Sequence, residues 1–213
     1  MKALKISTFC LFLICQLVGV QAQTVSGVFL QLPQRFLPEL SMETKRDLIE
    51  FYRNGNLAVM PSVFGGKVTL EKLSADYLKI KTSERSHVQL KLLRDTDSTE
   101  CLALVQTATG VLNDSRVQFL DLQYKPLNSI KLPKILREEF LMGSGISLHE
   151  KDQYVQMLPN RLALEFIFQP DSDTLMVKSS LKSDLSLEFK NKMEPMIQDS
   201  ILFKFINGAF KRI

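Results

Sequence analysis

The chain has no tryptophan, two histidines and three cysteines among its 213 residues. Without tryptophan it lacks the usual exposed platform for stacking sugar rings. The two histidines, His87 and His149, stand far from each other and from any cysteine pair, so the ligand count and spacing of a zinc centre are missing. Cys10 and Cys15 fall in the N-terminal apolar run. Cys101 is therefore the single thiol of the remaining chain, and an intramolecular disulfide there is excluded. Nine glycines and eight prolines are too few for a fibrous or disordered polypeptide. A long run of one charge sign is also missing: 27 basic and 23 acidic residues give a net charge of +4. The small basic groups Lys131/Lys134/Arg137 and Lys211/Arg212 sit beside acidic or apolar neighbours. They read as solvated faces, not as the basic stripe a nucleic-acid partner would need.

What is present begins with an export signal. Lys2 and Lys5 precede an apolar core from Ile6 to Val20, and Val20-Gln21-Ala22 forms a small-x-small cleavage pattern. That core is too short to span a bilayer about 30 Å thick. Residues 1–22 are expected to be removed near Ala22, giving a periplasmic or outer-membrane-associated protein with no transmembrane span. Ile14 before Cys15 is not the small residue that lipid attachment requires.

Beyond the leader the periodicity changes along the chain. Pro33 and Pro38 limit the segment after Val28 to a short helical or extended lead-in. Ser41 is placed to cap a helix over Met42–Arg53, with Leu48, Ile49 and Tyr52 on one side, and Gly55 supplies a left-handed stop. From Lys67 the period becomes two. Runs at 67–70, 76–81, 87–93, 101–107 and 116–124 alternate as half-buried strands, joined by short polar links that favour sequential antiparallel pairing. One or two helical turns are expected within 134–140, and Gly143-Ser144-Gly145 reads as a link. Further strands are expected at 154–158, 161–169 and 174–180, and a helix over 187–194 behind Ser186. Asn207-Gly208 between apolar runs signals a closing β-hairpin. The 90–106 and 164–178 hairpins share an apolar–acidic–apolar pattern consistent with either duplication or common alternation.

Few residues form sets able to carry chemistry. Cys101 with His149 could serve a cysteine-dependent hydrolase, but Glu100 beside the sulfur disfavours a thiolate. Asp95, Asp97 and Glu100 in one turn, and Asp171 and Asp173 in another, offer carboxylates for calcium; acidic residues also cap ordinary turns. Gly65, Gly66 and Lys67 could approach a phosphate or glycan, or simply make a tight turn. No cofactor is expected.

Several stretches recur in an order that resembles a secreted domain-of-unknown-function family of Gram-negative gut anaerobes. They are Phe29-Leu30-Gln31-Leu32-Pro33, Asp47 to Tyr52, Phe64-Gly65-Gly66-Lys67, Asp76-Tyr77-Leu78, Asp114-Ser115-Arg116, Lys125-Pro126-Leu127 and Phe205 to Phe210. The resemblance implies a periplasmic or surface protein and supplies no catalytic residue. Phe205 stands where that family pattern leads one to expect tryptophan.

The expected architecture is α+β, predominantly antiparallel sheet, with an N-terminal helical segment and a C-terminal hairpin. Its halves are 23–142 and 143–213, or one continuous domain over 23–213. The expected function is a non-enzymatic envelope binding or accessory module, engaging another envelope protein or macromolecule. The alternatives are the Cys101/His149 hydrolase and a calcium-stabilised structural protein.

Overall fold

In the structure, a computed structural model describing residues 23–94, 100–142 and 147–213, two antiparallel sheets stack face to face. The first is a six-stranded meander in sequence order: β1 (Val59–Pro61), β2 (Lys67–Leu73), β3 (Tyr77–Ser83), β4 (Ser86–Arg94), β5 (Glu100–Ala108) and β6 (Asp114–Leu120). The second comprises β7 (Leu164–Phe168), β8 (Thr174–Ser179), β9 (Ser200–Ile206) and β10 (Ala209–Arg212), also paired in sequence order. Short links between alternating runs make neighbours in sequence neighbours in space. This is the α+β, mainly antiparallel architecture expected from the pattern.

A helical layer covers the outer face of the six-stranded sheet. Helix α1 (Val25–Gln31) is capped by the Thr24 hydroxyl accepting from Gly27 N–H, and Pro33 follows its end. Helix α2 runs over Met42–Arg53 as its signals require: Ser41 Oγ accepts from Thr44 N–H, and Gly55 beyond Asn54 has φ +72°. Their apolar sides, with Val28, Phe29, Leu48 and Ile49, meet Leu70, Ile80, Leu90 and Leu104. Lys45 is buried at this contact. Its Nζ donates to Leu32 O at 2.6 Å, at the C-terminus of α1, where a cation complements the helix dipole.

The opposite face of the first sheet packs against the second. Cys101, Ala103, Val105 and Phe119 share a core with Phe166, Phe168, Val177, Phe203 and Phe205, drawing on both halves of the chain. Phe210 links the sheets, its ring centroid 5.7 Å from Phe119 and 6.2 Å from Phe168. The central strands β4 and β5 are thus buried on both faces, not half-buried as their alternation suggests.

The polar positions of that alternation hold the layers together. Gln89 is 1% exposed. Its Nε2 donates to Phe166 O at 3.0 Å, and its Oε1 accepts from Phe168 N–H at 3.0 Å and Tyr77 OH at 3.2 Å. Farther along the same edge of β7, Phe166 N–H donates to Ser115 Oγ and Leu164 N–H to Asp114 Oδ1. The unpaired edge of the second sheet is therefore satisfied by side chains of the first, where a strand would otherwise be needed. Lys91, fully buried, donates to Asp76 Oδ2 at 2.7 Å and to Pro170 O at 3.2 Å, tying down the β7–β8 turn.

Two local expectations need correction. Residues 154–158 are not a strand but the end of helix α3 (Leu148–Met157), nucleated by a reciprocal capping box: Ser147 Oγ accepts from Glu150 N–H while Glu150 Oε2 accepts from Ser147 N–H. The strand expected to reach Tyr124 ends at Leu120, because Asp121 Oδ1 accepts from Gln123 and Lys125 N–H and turns the chain. Short strand β1 and the single-turn helix α4 (Leu181–Asp184) had no counterpart in the sequence reading. Helix α5 (Leu187–Met193) follows Ser186 as expected, although that side chain makes no capping bond. The Gly143-Ser144-Gly145 link lies outside the described residues. The closing hairpin turns through Asn207 (φ +52°) and Gly208 (φ +72°), the positive pair a type I′ turn requires.

Replacing Gln89 by Leu should leave the Phe166 carbonyl, the Phe168 amide and the Tyr77 hydroxyl without partners in an apolar layer. At about 1–3 kcal/mol for each orphaned group, urea denaturation should show a loss of about 3 kcal/mol or more. A loss below about 1 kcal/mol would show that the layers do not depend on this side chain.

Candidate functional site

At one end of the six-stranded sheet the helical layer stops short and leaves a cleft of about 370 Å3. Its floor follows from the register. Val88, Gln106 and Arg116 form one cross-strand row, and Ser86, Ala108 and Asp114 the next, both on the helix-bearing side. The segment Leu37-Pro38-Glu39 forms a wall. Leu37 and Leu40, each 1% exposed, anchor that wall on either side of Glu39. The backbone of Glu39 is held as well, its carbonyl accepting from Val63 N–H at 2.9 Å. Gln106 Nε2 donates to Phe36 O at 3.3 Å, joining wall to floor.

The electrostatics of the cleft are unusual in one respect. Glu39 Oε2 is shielded from solvent, yet no protein group among the described residues donates to it. Arg116, exposed on β6, also enters no ion pair or hydrogen bond among these residues. The two opposite charges line one cleft without reaching each other. Around them, Thr82 and Ser86 share a hydroxyl hydrogen bond of 2.7 Å, and Asp114 has one oxygen committed to Leu164 N–H.

His87 also borders the cleft, half-buried and on the strand row next to Thr107. Burial first, and the Lys79 ammonium second, push its imidazole below the usual histidine range, against a smaller upward pull from Glu165 and Glu71. The folded protein thus binds this proton less readily than the unfolded chain. Its stability contribution is complete above the ordinary histidine pKa of 6.5 and is lost as pH falls below that value. Denaturation midpoints of wild type and His87→Gln should converge across this descent, the wild type losing more. Parallel pH profiles would contradict the assignment.

The residues singled out from sequence fall elsewhere. Cys101 is 1% exposed inside the inter-sheet core. His149 is exposed on α3, its Nε2 within 3.2 Å of Gln153 Nε2. The structure places this sulfur and imidazole in different environments. Gly65 and Gly66 make the β1–β2 turn with φ +87° and +80°, and Gly65 N–H is already spent on Ser62 O. Lys67 opens β2, exposed. Glu100 pairs with Arg94, while Asp95 and Asp97 lie outside the described residues. Asp171 is exposed in the β7–β8 turn. Burial raises the Asp173 carboxyl pKa, with the Lys91 ammonium the main opposing influence. The positive charge beside this turn is thus already supplied by a lysine. Among the described residues no group of three His, Cys, Asp or Glu side chains could hold a metal ion.

Sequence reasoning did not single out Glu39 or Arg116 as a pair. Neither belongs to a local motif, and only the meander and its helical cover bring them to one cleft.

Fold and cleft together define a three-layer α+β protein with a walled groove, apolar over much of its lining, on its helix-bearing side. The chain belongs to a family described as "Protein of unknown function (DUF3256)", whose profile matches residues 17–210. The resemblance to an uncharacterised family noted in the sequence therefore holds. Among solved structures, a domain of an uncharacterized protein from Porphyromonas gingivalis W83 aligns with a TM-score of 0.69 at 24% identity, covering 89% of this chain and 97% of that one. That likeness establishes a common fold. No curated protein matches the chain. Among the described residues no helix is long and apolar enough to cross a membrane.

Proposed function

We propose that the protein is a non-enzymatic binding module of the cell envelope, exported behind a leader ending near Ala22 and working in the periplasm or at the outer membrane. The observation that carries the binding role is the cleft in which Glu39 and Arg116, among the described residues, stand unpaired on opposite sides of a largely apolar lining. Binding sites place a few fixed polar groups in a concave, preformed setting, and this groove meets that description. A nucleophile set has a different requirement: nucleophile, base and orienting group within hydrogen-bond reach. The burial of Cys101 and the exposed setting of His149 weigh against that rival.

The test pairs reactivity with association. Iodoacetamide should leave Cys101 unmodified in the folded protein and label it once denaturant unfolds the chain. The Cys101→Ala/His149→Ala variant should bind an isolated envelope fraction as the wild type does. Rapid labelling of the folded protein, or loss of envelope binding by a still-folded double variant, would favour the cysteine-dependent hydrolase.

A further inference from the structure

The cleft bounded by Glu39 and Arg116 points to the chemistry of its ligand, an inference that rests on the binding-module reading. A carboxylate oxygen removed from solvent without a donor is costly, and native proteins leave few such atoms without cause. The Glu39 backbone is pinned between two buried leucines, and its carbonyl accepts from Val63 N–H, so the fold enforces the placement of this residue. Among the described residues Arg116 pairs with no carboxylate either, although Asp114 lies two residues away on the same side of β6. An opposite pair that lines one concavity yet does not close on itself leaves room for a molecule between the charges.

We propose that this cleft binds an amino acid or short peptide with both termini free, its ammonium on Glu39 and its carboxylate on Arg116. A simple anion would satisfy the guanidinium but leave Glu39 without a donor and repel it. A metal cation would find Glu39, one uncommitted oxygen of Asp114 and hydroxyls already bonded in pairs, Thr82 with Ser86 and Thr107 with Ser115, short of the six to eight oxygens calcium takes. A zwitterion meets both needs at once. Arg116 suits the carboxylate, since its planar fork can hold both oxygens. Between the ends, Gln106 has its amide nitrogen committed to Phe36 O, and its amide oxygen is the group available to a peptide N–H. The cleft, about 370 Å3, lies within the range of small-molecule sites.

Thermal unfolding of the purified protein with a panel of X-Gly dipeptides tests this directly. At tenfold excess over the dissociation constant, the best dipeptide should raise the midpoint by about 4 °C, since a ligand of the folded state alone must stabilise it. Acetylating its amine or amidating its carboxylate should abolish the shift. Glu39→Gln should remove the response while leaving the free protein's own midpoint unchanged or higher. Arg116→Gln, at an exposed position, should remove the response without altering the fold. No shift with any dipeptide, or shifts indifferent to end-blocking or to both substitutions, would overturn the proposal. If envelope binding by the Cys101→Ala/His149→Ala variant persists in that case, the ligand class fails while the binding-module reading stands.

Discussion

The architecture depends on how the second sheet ends. An antiparallel sheet edge presents backbone donors and acceptors that must be satisfied, and the edge of β7 faces protein. It meets a ladder of side chains instead of a strand: Asp114, Ser115 and Gln89 take the N–H groups of Leu164, Phe166 and Phe168, and Gln89 returns a donor to Phe166 O. An amide side chain can do this because it carries both a carbonyl and an NH2 and so copies one peptide unit. Apolar packing alone would hold two sheets together but would not fix how one lies on the other, because the hydrophobic effect has no direction. The side-chain ladder provides that direction. Lys91 adds a second fixed point by holding the β7–β8 turn through Pro170.

The same arrangement explains where the cleft lies. Once the inner face of the six-stranded sheet is committed to the second sheet, the outer face is the one left to the helical layer and the cleft. Helices α1 and α2 cover the middle of that face, over Leu70, Ile80, Leu90 and Leu104. The end carrying Ser86, Gln106 and Arg116 is left open, with the wall at Glu39 set by buried Leu37 and Leu40. On β6, Ser115 and Asp114 both fasten the second sheet, through Phe166 and Leu164 N–H, while Arg116 borders the cleft without a partner among the described residues.

Much of the fold was legible locally. Ser41 and Gly55 bracketed α2, the period-two runs marked most strands, and Asn207-Gly208 placed the last hairpin; each is decided by a few adjacent residues. The parts that escaped are those decided at a distance. Gln89 and Lys91 occupy the polar positions of an amphipathic strand, where alternation alone assigns them to solvent, yet a second sheet covers them. Residues 154–158 mimic a strand in isolation; the capping box at Ser147 and Glu150 was the available signal for a helix. Glu39 and Arg116 are separated by most of the first sheet, so their meeting follows from topology and not from any motif. The candidates found by residue type were thiol, histidines and acids, whereas the groove is distinguished by which charges lack partners.

Native-state hydrogen exchange on the amides of Phe166 and Phe168 tests the central claim most directly. If side chains of the first sheet complete the edge of β7, both amides should exchange only through global unfolding, as slowly as the central amides of β4 and β5. Exchange at the rate of an exposed sheet edge, orders of magnitude faster, would mean that the edge is open and that the two sheets are joined by apolar contact alone.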